Sequence, residues 1–421
     1  MSARDSSALA RELAAIVGNP HVRAPSALET RAASIIVEPR DANEVAELVR
    51  KCEADAITLA PIGAARTLAQ IRPAPVAVGI SLARLNRVIA YEPDDMTVIA
   101  DAGLTLAALN SLTATRGQRL PADPPYPDRT TLGALVAAAQ AGPLRLSEGT
   151  VRDLLIGVRF VGHDARLIHG GGRVVKNVAG YDLMKVMVGS FGTLGIVTET
   201  TFKVRPIPQR YTAAIAQFAD PDAALIAAAA LHDAVPLIHL EVVSAAVADA
   251  LGYPAHPQVF AGIAGSAEEV AYLLSQVTAL LGPSSTVLAD ADAVTAYEHL
   301  RDFDANDAAI AAQIAVAPAE LASCLMRSGA EFRAHAGCGV AQIFTRDASR
   351  AEEIRRTLSH WRDLAHGARG NLRVLRVNDD FHHEVNFFDE PPGPALALMR
   401  RLKSTFDPRG VFNPGCFVGG L

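Results

Sequence analysis

Cysteine is scarce in this chain and poorly spaced for chemistry: Cys52, Cys324, Cys338 and Cys416 are the only four, and no two form a Cys-x-x-Cys pair. Such scatter excludes a zinc site, an iron–sulfur cluster and a disulfide framework. No metal is expected, and any electrons must leave by another route. A basic excess is missing as well, since 39 Lys and Arg face 45 Asp and Glu for a net charge of −6. No Lys/Arg cluster interleaved with aromatics is found, so a nucleic-acid partner is excluded. Long apolar runs are absent too. The opening MSARDSSALARELAAIVG carries Arg4 and Asp5 ahead of a short amphipathic pattern, and no stretch has membrane length. These features predict a cytoplasmic chain without a signal peptide or a membrane span.

What is present suffices for a large fold. With 421 residues, 50% hydrophobic and 20% charged, the chain can bury a substantial core and form two domains. Residues 6–18 read as a helix capped by Ser6 or Ser7, with Leu9, Leu13, Ile16 and Val17 on one face. SIIVEPR reads as a strand, Asp41 to Glu53 as a helix and AITLAPIG as a second strand, which makes a βαβ opening. The densest signal lies between Ile168 and Pro206. There Gly170, Gly171, Gly172, Gly180, Gly189, Gly192 and Gly195 interrupt apolar β-branched runs, the mark of a backbone that turns tightly and is closely approached. Asp182 is placed to cap a short helix LMKVMV that stops at Gly189, and GSFGTLG then leads into the alternating strand IVTETTFKV. Beyond Pro206 and Pro208 the texture becomes YTAAIAQF, PLIHLEVV, QVFAGIAG, AIAAQIAV, HAGCGVAQIF and NLRVLRV, with helices starting near Asp220, Ser266, Pro318 and Ala348. That pattern predicts an antiparallel sheet with helices on one face. His239, Glu241, Tyr272 and Trp361 read as core or half-buried residues.

Taken together, KNVAGYD (Lys176 to Asp182) and GSFGTLGIVTE (Gly189 to Glu199) resemble the end of the PCMH-type FAD-binding domain of the vanillyl-alcohol oxidase family of flavoproteins, and within it the E subunits of bacterial glycolate oxidases. The resemblance spans Ser34 to Pro206 plus a closing segment, and it supplies the cofactor and the fold class. That class is α+β: a PCMH-type FAD-binding domain of two α+β subdomains over residues 1–207, a ferredoxin-like FAD-linked oxidase cap domain over 208–378, and a C-terminal segment over 379–421 that returns to the FAD domain.

By this resemblance Pro61, Ile62, Gly63, Ala64, Ala65 and Arg66 form the loop around the FAD pyrophosphate. The family has consecutive glycines there; this chain keeps Gly63 and adds Arg66 as a charged phosphate contact. No histidine lies between Pro61 and Gln70, which predicts noncovalent FAD. Thr130, Thr131, Leu132 and Gly133 match a TxGG helix start whose free amides would face the flavin, with Ala134 in place of the second glycine. Gly149, Thr150 and Asp153 lie along the flavin in the family, and Gly192, Gly195, Ile196 and Val197 close the site. Asn413, in NPG, is a flavin contact, and Cys416 stands where the family commonly has arginine.

The implied activity is oxidation of a 2-hydroxy acid such as glycolate or lactate. It needs a base for the hydroxyl proton and a cation for the carboxylate. DDFHHEVNFF offers His382 or His383 as base, of which a strand would turn only one inward. Asn386 is a polar contact and Arg373 or Arg376 a clamp. The implied partners are a D-type flavoprotein and an iron–sulfur subunit, through which the chain would sit peripherally at the inner membrane. The alternative is a non-catalytic subunit that keeps the FAD fold while the chemistry lies in another chain.

Overall fold

The computed structural model describes residues 3–63, 75–172 and 181–421, with residues 3–6, 379, 383 and 384 described by main chain alone. It divides into a first unit of Met1–Gln140, Thr150–Ile207 and Glu390–Leu421 and a second of Ala141–Gly149 and Pro208–Asp389. Two assignments differ from the sequence expectation. Residues 141–149 join the second unit, where Ser147 Oγ donates to Ile238 O at 3.0 Å. The last changeover falls at Asp389, not near Asp379, because the chain after the strand Asn371–Val377 folds back onto it. Val374 N donates to Phe387 O at 2.8 Å and Leu372 N to Asp389 Oδ2 at 2.6 Å.

In the first unit the βαβ opening forms as its pattern dictates. Asp41 caps the helix Ala42–Ala54 by accepting from Asn43 N and Glu44 N. Val45, Leu48, Val49 and Cys52, spaced at helical intervals, are buried. The strands Ala33–Val37, Val76–Ser81 and Leu59–Ile62 run parallel, with Val22–Arg23 antiparallel at one edge. A second, fully antiparallel sheet orders Val88–Glu92, Thr97–Asp101, Ile196–Lys203, Leu155–Val161 and Leu167–Gly171. One hydrophobic core joins both sheets, from Leu13 and Leu48 through Phe160 and Ile196 to Phe412. The N-terminal helix begins at Ala3, ahead of the expected Ser6 or Ser7 cap. Asp182 does cap its helix, Leu183–Met187, by accepting from Lys185 N at 3.2 Å.

The second unit is built on one eight-stranded antiparallel sheet. Two strands escaped the sequence reading, Thr286–Ala289 and Glu331–His335. The run HAGCGVAQIF is no single strand: it leaves Glu331–His335, turns through a 3₁₀ helix at Ala336–Cys338 and returns as Val340–Thr345. Gly339, at φ +67°, makes that turn in space closed by Val316 O and Pro318 N.

Register decides which side chains share a face, because directly paired residues point the same way. The pairs Tyr211↔Ala264, His239↔Gly262, Glu241↔His335, Arg333↔Gln342, Gln342↔Gln313 and Gln313↔Arg373 put a row of polar side chains on one face. The opposite face carries Ala214, Leu240, Val242, Ala334, Ile343 and Ala312 and is buried. At one end of the polar face the helices Ala245–Ala250 and Asp290–Asp302 set Val247, Ala248 and Leu300 against Ile215, Val243, Phe260 and Phe344. Helices therefore pack on part of the polar face, which differs from the expectation of helices on one face alone.

Candidate functional site

In the first unit the expected cofactor elements meet around the end of the strand Leu59–Ile62. A bare Cα is needed at Gly192, where φ is +68° and a Cβ would lie 2.8 Å from Pro61 Cδ and nearer still to Cγ. At Gly63 a Cβ would lie 3.0 Å from Thr131 Oγ1 and 3.2 Å from Ala134 Cβ. Pro61 to Gly63 thus runs between the N-cap of the helix Leu132–Ala138 and the glycine loop 189–193. That loop is pinned to the same helix's far end, with Gly189 N donating to Val136 O at 3.0 Å and Phe191 N to Ala137 O at 2.8 Å. The C-terminal segment closes the group: Leu59 N donates to Val411 O at 2.9 Å and Asn413 N to Leu59 O at 2.7 Å. Ala64, Ala65 and Arg66 lie outside the described residues.

The helix start at Thr130–Gly133 does not present free amides. Leu132 N donates to Leu104 O at 2.9 Å, Gly133 N to Ala102 O at 2.7 Å and Ala134 N to Thr131 Oγ1 at 3.3 Å. These donors are spent inside the fold, because Gly133 lets the helix press against Ala102, where a Cβ would meet the carbonyl at 3.1 Å. Thr130 Oγ1 is likewise committed, to Pro125 O at 3.0 Å. What this corner offers is the hydroxyl of Thr131, which accepts from Ala134 and still has its own proton to give.

Thr150 and Asp153 form a capping box. Asp153 Oδ2 accepts from Thr150 N at 2.8 Å and from its hydroxyl at 3.0 Å, and these bonds, the backbone one first, hold the Asp153 carboxyl below its usual range. Thr150 N is therefore taken, and Asp153 reads as a cap. Gly149, at φ +77°, ends the second unit's short segment. Ile196 and Val197 are buried in the sheet, paired with Val161 and Phe160, just before a bulge. Gly195, at φ +150°, passes so close to Val161 O that a Cβ would lie 2.8 Å from it.

Two buried polar atoms at this site have no hydrogen-bond partner among the described residues: Ser190 Oγ and Asn413 Oδ1. Leaving such atoms dry and unmatched is costly. They flank Phe191, whose carbonyl accepts from Asn413 Nδ2. Phe191 and Asn413 both hold left-handed backbones, at φ +52° and +44°, strain that clusters where a ligand is held. A bare-backbone loop, a free hydroxyl at Thr131 and two unmatched polar atoms suit a large polar cofactor laid against the main chain.

The second unit holds the expected catalytic residues. Asp379–Glu384 is a 3₁₀ helix and not a strand, so the alternation expected of a strand does not apply there. The half-buried His382 ring packs 4.6 Å from that of Phe387; the side chain of His383 lies outside the described residues. Asn386 is exposed and its Oδ1 accepts from Phe388 N at 3.3 Å. Arg373 and Arg376, three apart, would face opposite ways in a regular strand. A bulge between Ala311 and Ala312 pairs them with Gln313 and Ala311, which are two apart, so both arginines share the polar face. Burial pulls the Arg373 guanidinium down to about 10.

The same face carries residues that sequence reading had assigned to the core. His335 Nδ1 lies 2.6 Å from Glu241 Oε1, both buried. Two residues along the strand, His239 Nε2 shares a hydrogen bond of 2.6 Å with the Tyr211 hydroxyl, and the Tyr297 ring stands 5.6 Å away. Glu241 Oε2 and His239 Nδ1 have no partner among the described residues. Burial pushes the His239 imidazole down to about 4, with Glu241 opposing and His335 reinforcing the shift. Gly262 makes room for that ring, since a Cβ would lie 2.9 Å from His239 Cε1 and closer to Nε2. The signal was available: in HLEVV the polar residues 239 and 241 alternate with Leu240 and Val242, the period of a strand with one polar face. No group of three His, Cys, Asp or Glu side chains able to hold a metal is found among the described residues.

Residues 33–171 match the FAD binding domain, and residues 385–416 match the C-terminal domain of FAD linked oxidases. The glycolate oxidase subunit GlcE of Escherichia coli is 41% identical over 123 residues, 29% of this chain and 35% of that protein. The mitochondrial D-lactate dehydrogenase [cytochrome] of Arabidopsis thaliana is 26% identical over 91% of this chain and 73% of its own length. Among solved structures, 4-ethylphenol oxidase from Gulosibacter chungangensis superposes with a TM-score of 0.69 at 15% identity, covering 99% of this chain and 97% of that one. An alkyldihydroxyacetonephosphate synthase reaches 0.70 at 17% identity, covering 98% and 86%. The chain thus carries an FAD binding domain at residues 33–171 and a match to the C-terminal domain of FAD linked oxidases at residues 385–416, on the fold of the PCMH-type flavoproteins.

Proposed function

We propose that this chain is an oxidoreductase that binds FAD without a covalent bond and oxidises the CH–OH group of a 2-hydroxy acid of the glycolate or lactate type. The observation that carries the reading is the meeting of Pro61–Gly63, Gly192 and Asn413 around one stretch of bare backbone with two unmatched polar atoms. The names of the relatives, glycolate oxidase subunits and D-lactate dehydrogenases, point to the substrate class. The loop 61–70 contains no histidine, cysteine or tyrosine, which supports a cofactor held by contacts alone.

Bound FAD would supply the acceptor for the substrate hydrogen that leaves as hydride. The protein then has to take the hydroxyl proton and hold the carboxylate. We assign these tasks to the polar sheet face of the second unit: Glu241 with His335 as the proton-accepting pair, and Arg373 and Arg376 as the cations, in preference to His382 and His383. Glu241 and His335 already share one short hydrogen bond in a dry setting, where a charge is felt most strongly. Dye-linked turnover of the full chain with glycolate and D-lactate tests the assignment. We expect Glu241→Gln and His335→Gln each to lower kcat by about 10² or more, and His382→Gln to lower it far less. The reverse ranking would return the base to the Asp379–Glu384 helix.

A second reading is supported by a relative whose name makes it a subunit. The chain would then work beside a D-type flavoprotein and an iron–sulfur subunit, which would take the electrons, and peripheral attachment to the inner membrane would come through them.

A further inference from the structure

Lys403 lies in the last turn of the helix Gly393–Phe406, and its ammonium group is fully committed. Its Nζ donates to Thr193 O at 2.8 Å and to Phe412 O at 2.9 Å, and pairs with Asp407 Oδ2 at 2.5 Å. An ammonium has three protons, and here each has its own acceptor. The side chain is 12% exposed and that of Asp407 is 0% exposed, so this ion pair is sealed from water. Asp407 works outward in turn, accepting from Val411 N at 2.9 Å and from Phe412 N at 3.0 Å.

The two carbonyls that Lys403 grips are not arbitrary. Thr193 follows Gly192, the bare position against Pro61, and Phe412 precedes Asn413, whose amide reaches Leu59 O and whose side chain reaches Phe191 O. One cation therefore ties the glycine loop to the C-terminal segment, and each strap carries one of the two unmatched polar atoms, Ser190 Oγ and Asn413 Oδ1. Both straps contain a residue in left-handed backbone, Phe191 and Asn413, a conformation that persists only where surrounding contacts enforce it.

We propose that Lys403, with Asp407, is a positioning residue that sets the cofactor cradle before the cofactor arrives, so that FAD meets both straps already in register. This rests on the FAD reading of that cradle. A cradle set in advance asks little ordering of the incoming ligand, and affinity depends on that saving. The helix Gly393–Phe406 is then the part of the C-terminal domain that tunes flavin affinity without touching the flavin.

Flavin fluorescence quenching on the apo full chain gives the test. We expect Lys403→Met to weaken FAD binding at least tenfold. The double variant Lys403→Met with Asp407→Asn, which leaves no buried charge without its counterion, should show the same loss while its far-UV circular dichroism matches the parent. FAD affinity within twofold of the parent in a folded variant would overturn the proposal and leave the FAD reading standing. A parent chain that takes up no FAD would overturn both. Hydrogen exchange on the unaltered apo chain needs no variant: the amides of Thr193, Val411, Phe412 and Asn413 should be protected before FAD is added and change little afterwards. Free exchange in the apo chain, with protection appearing only on FAD addition, would equally defeat a cradle set in advance.

Discussion

At Gly192 a positive φ and the Pro61 ring together forbid a side chain, and at Gly195 the Val161 carbonyl does the same. Replacing either by valine should yield a chain purified without its flavin absorbance, because a branched Cβ adds backbone strain to a collision with atoms that cannot move aside. Full flavin occupancy in both variants would remove this loop from the site. His239 contributes to the pH response of the second unit. Its folded pKa of about 4 lies below the ordinary 6.5, so between those values the unfolded chain binds a proton that the folded chain refuses. Its contribution to stability is therefore lost as pH falls from 6.5 to 4 and is constant below, a loss of about 3 kcal/mol at most. Urea unfolding across that window should show the decline in the parent and a shallower one in His239→Asn; identical slopes would mean that the imidazole is not dry. The bare turn at Gly192 and the turn at Asn413 were legible from their motifs. The contact of Glu241 with His335 was not, because a polar residue inside an apolar run looks like a satisfied core group until register shows what stands beside it.

Among the elements, the helix Leu132–Ala138 shows how a motif can be found and misjudged. Its cap was legible, since Thr131 accepts from Ala134 N as a threonine before an apolar run should. Its free amides were an error, because Leu104 O and Ala102 O come from a preceding turn that no local pattern in the helix announces. We expect Thr131→Val to lower stability by about 1 kcal/mol through loss of the cap, measured by thermal unfolding of the apo chain, and to weaken flavin binding beyond what that destabilisation explains. An unchanged flavin affinity would confine Thr131 to capping. The bulge in the strand Asn371–Val377 is the other case. It brings Arg373 and Arg376 to one face, where sequence spacing alone separates them. If both hold the substrate carboxylate, Arg373→Met and Arg376→Met should each raise KM for a 2-hydroxy acid by tenfold or more in dye-linked assays. An effect confined to one would mean that the shared face is not a shared site.

At the scale of the whole molecule the resemblance carried the fold further than periodicity did. The βαβ opening, the antiparallel run beyond residue 207 and the return of the C-terminal segment could be read from pattern and motif. The pairing of Leu59 with Phe412, which turns that return into a piece of the proposed cofactor cradle, joins residues far apart in sequence and has no local signature. No helix among the described residues is long and apolar enough to cross a membrane. The proposed activity rests on the flavin. The most direct measurement is the visible absorbance of the purified full chain, recorded without oxygen before and after addition of glycolate or D-lactate. A bound flavin band that bleaches with a 2-hydroxy acid is the result we expect; a colourless chain that takes up no added FAD, or a yellow one that no 2-hydroxy acid ever bleaches, would contradict the proposed activity.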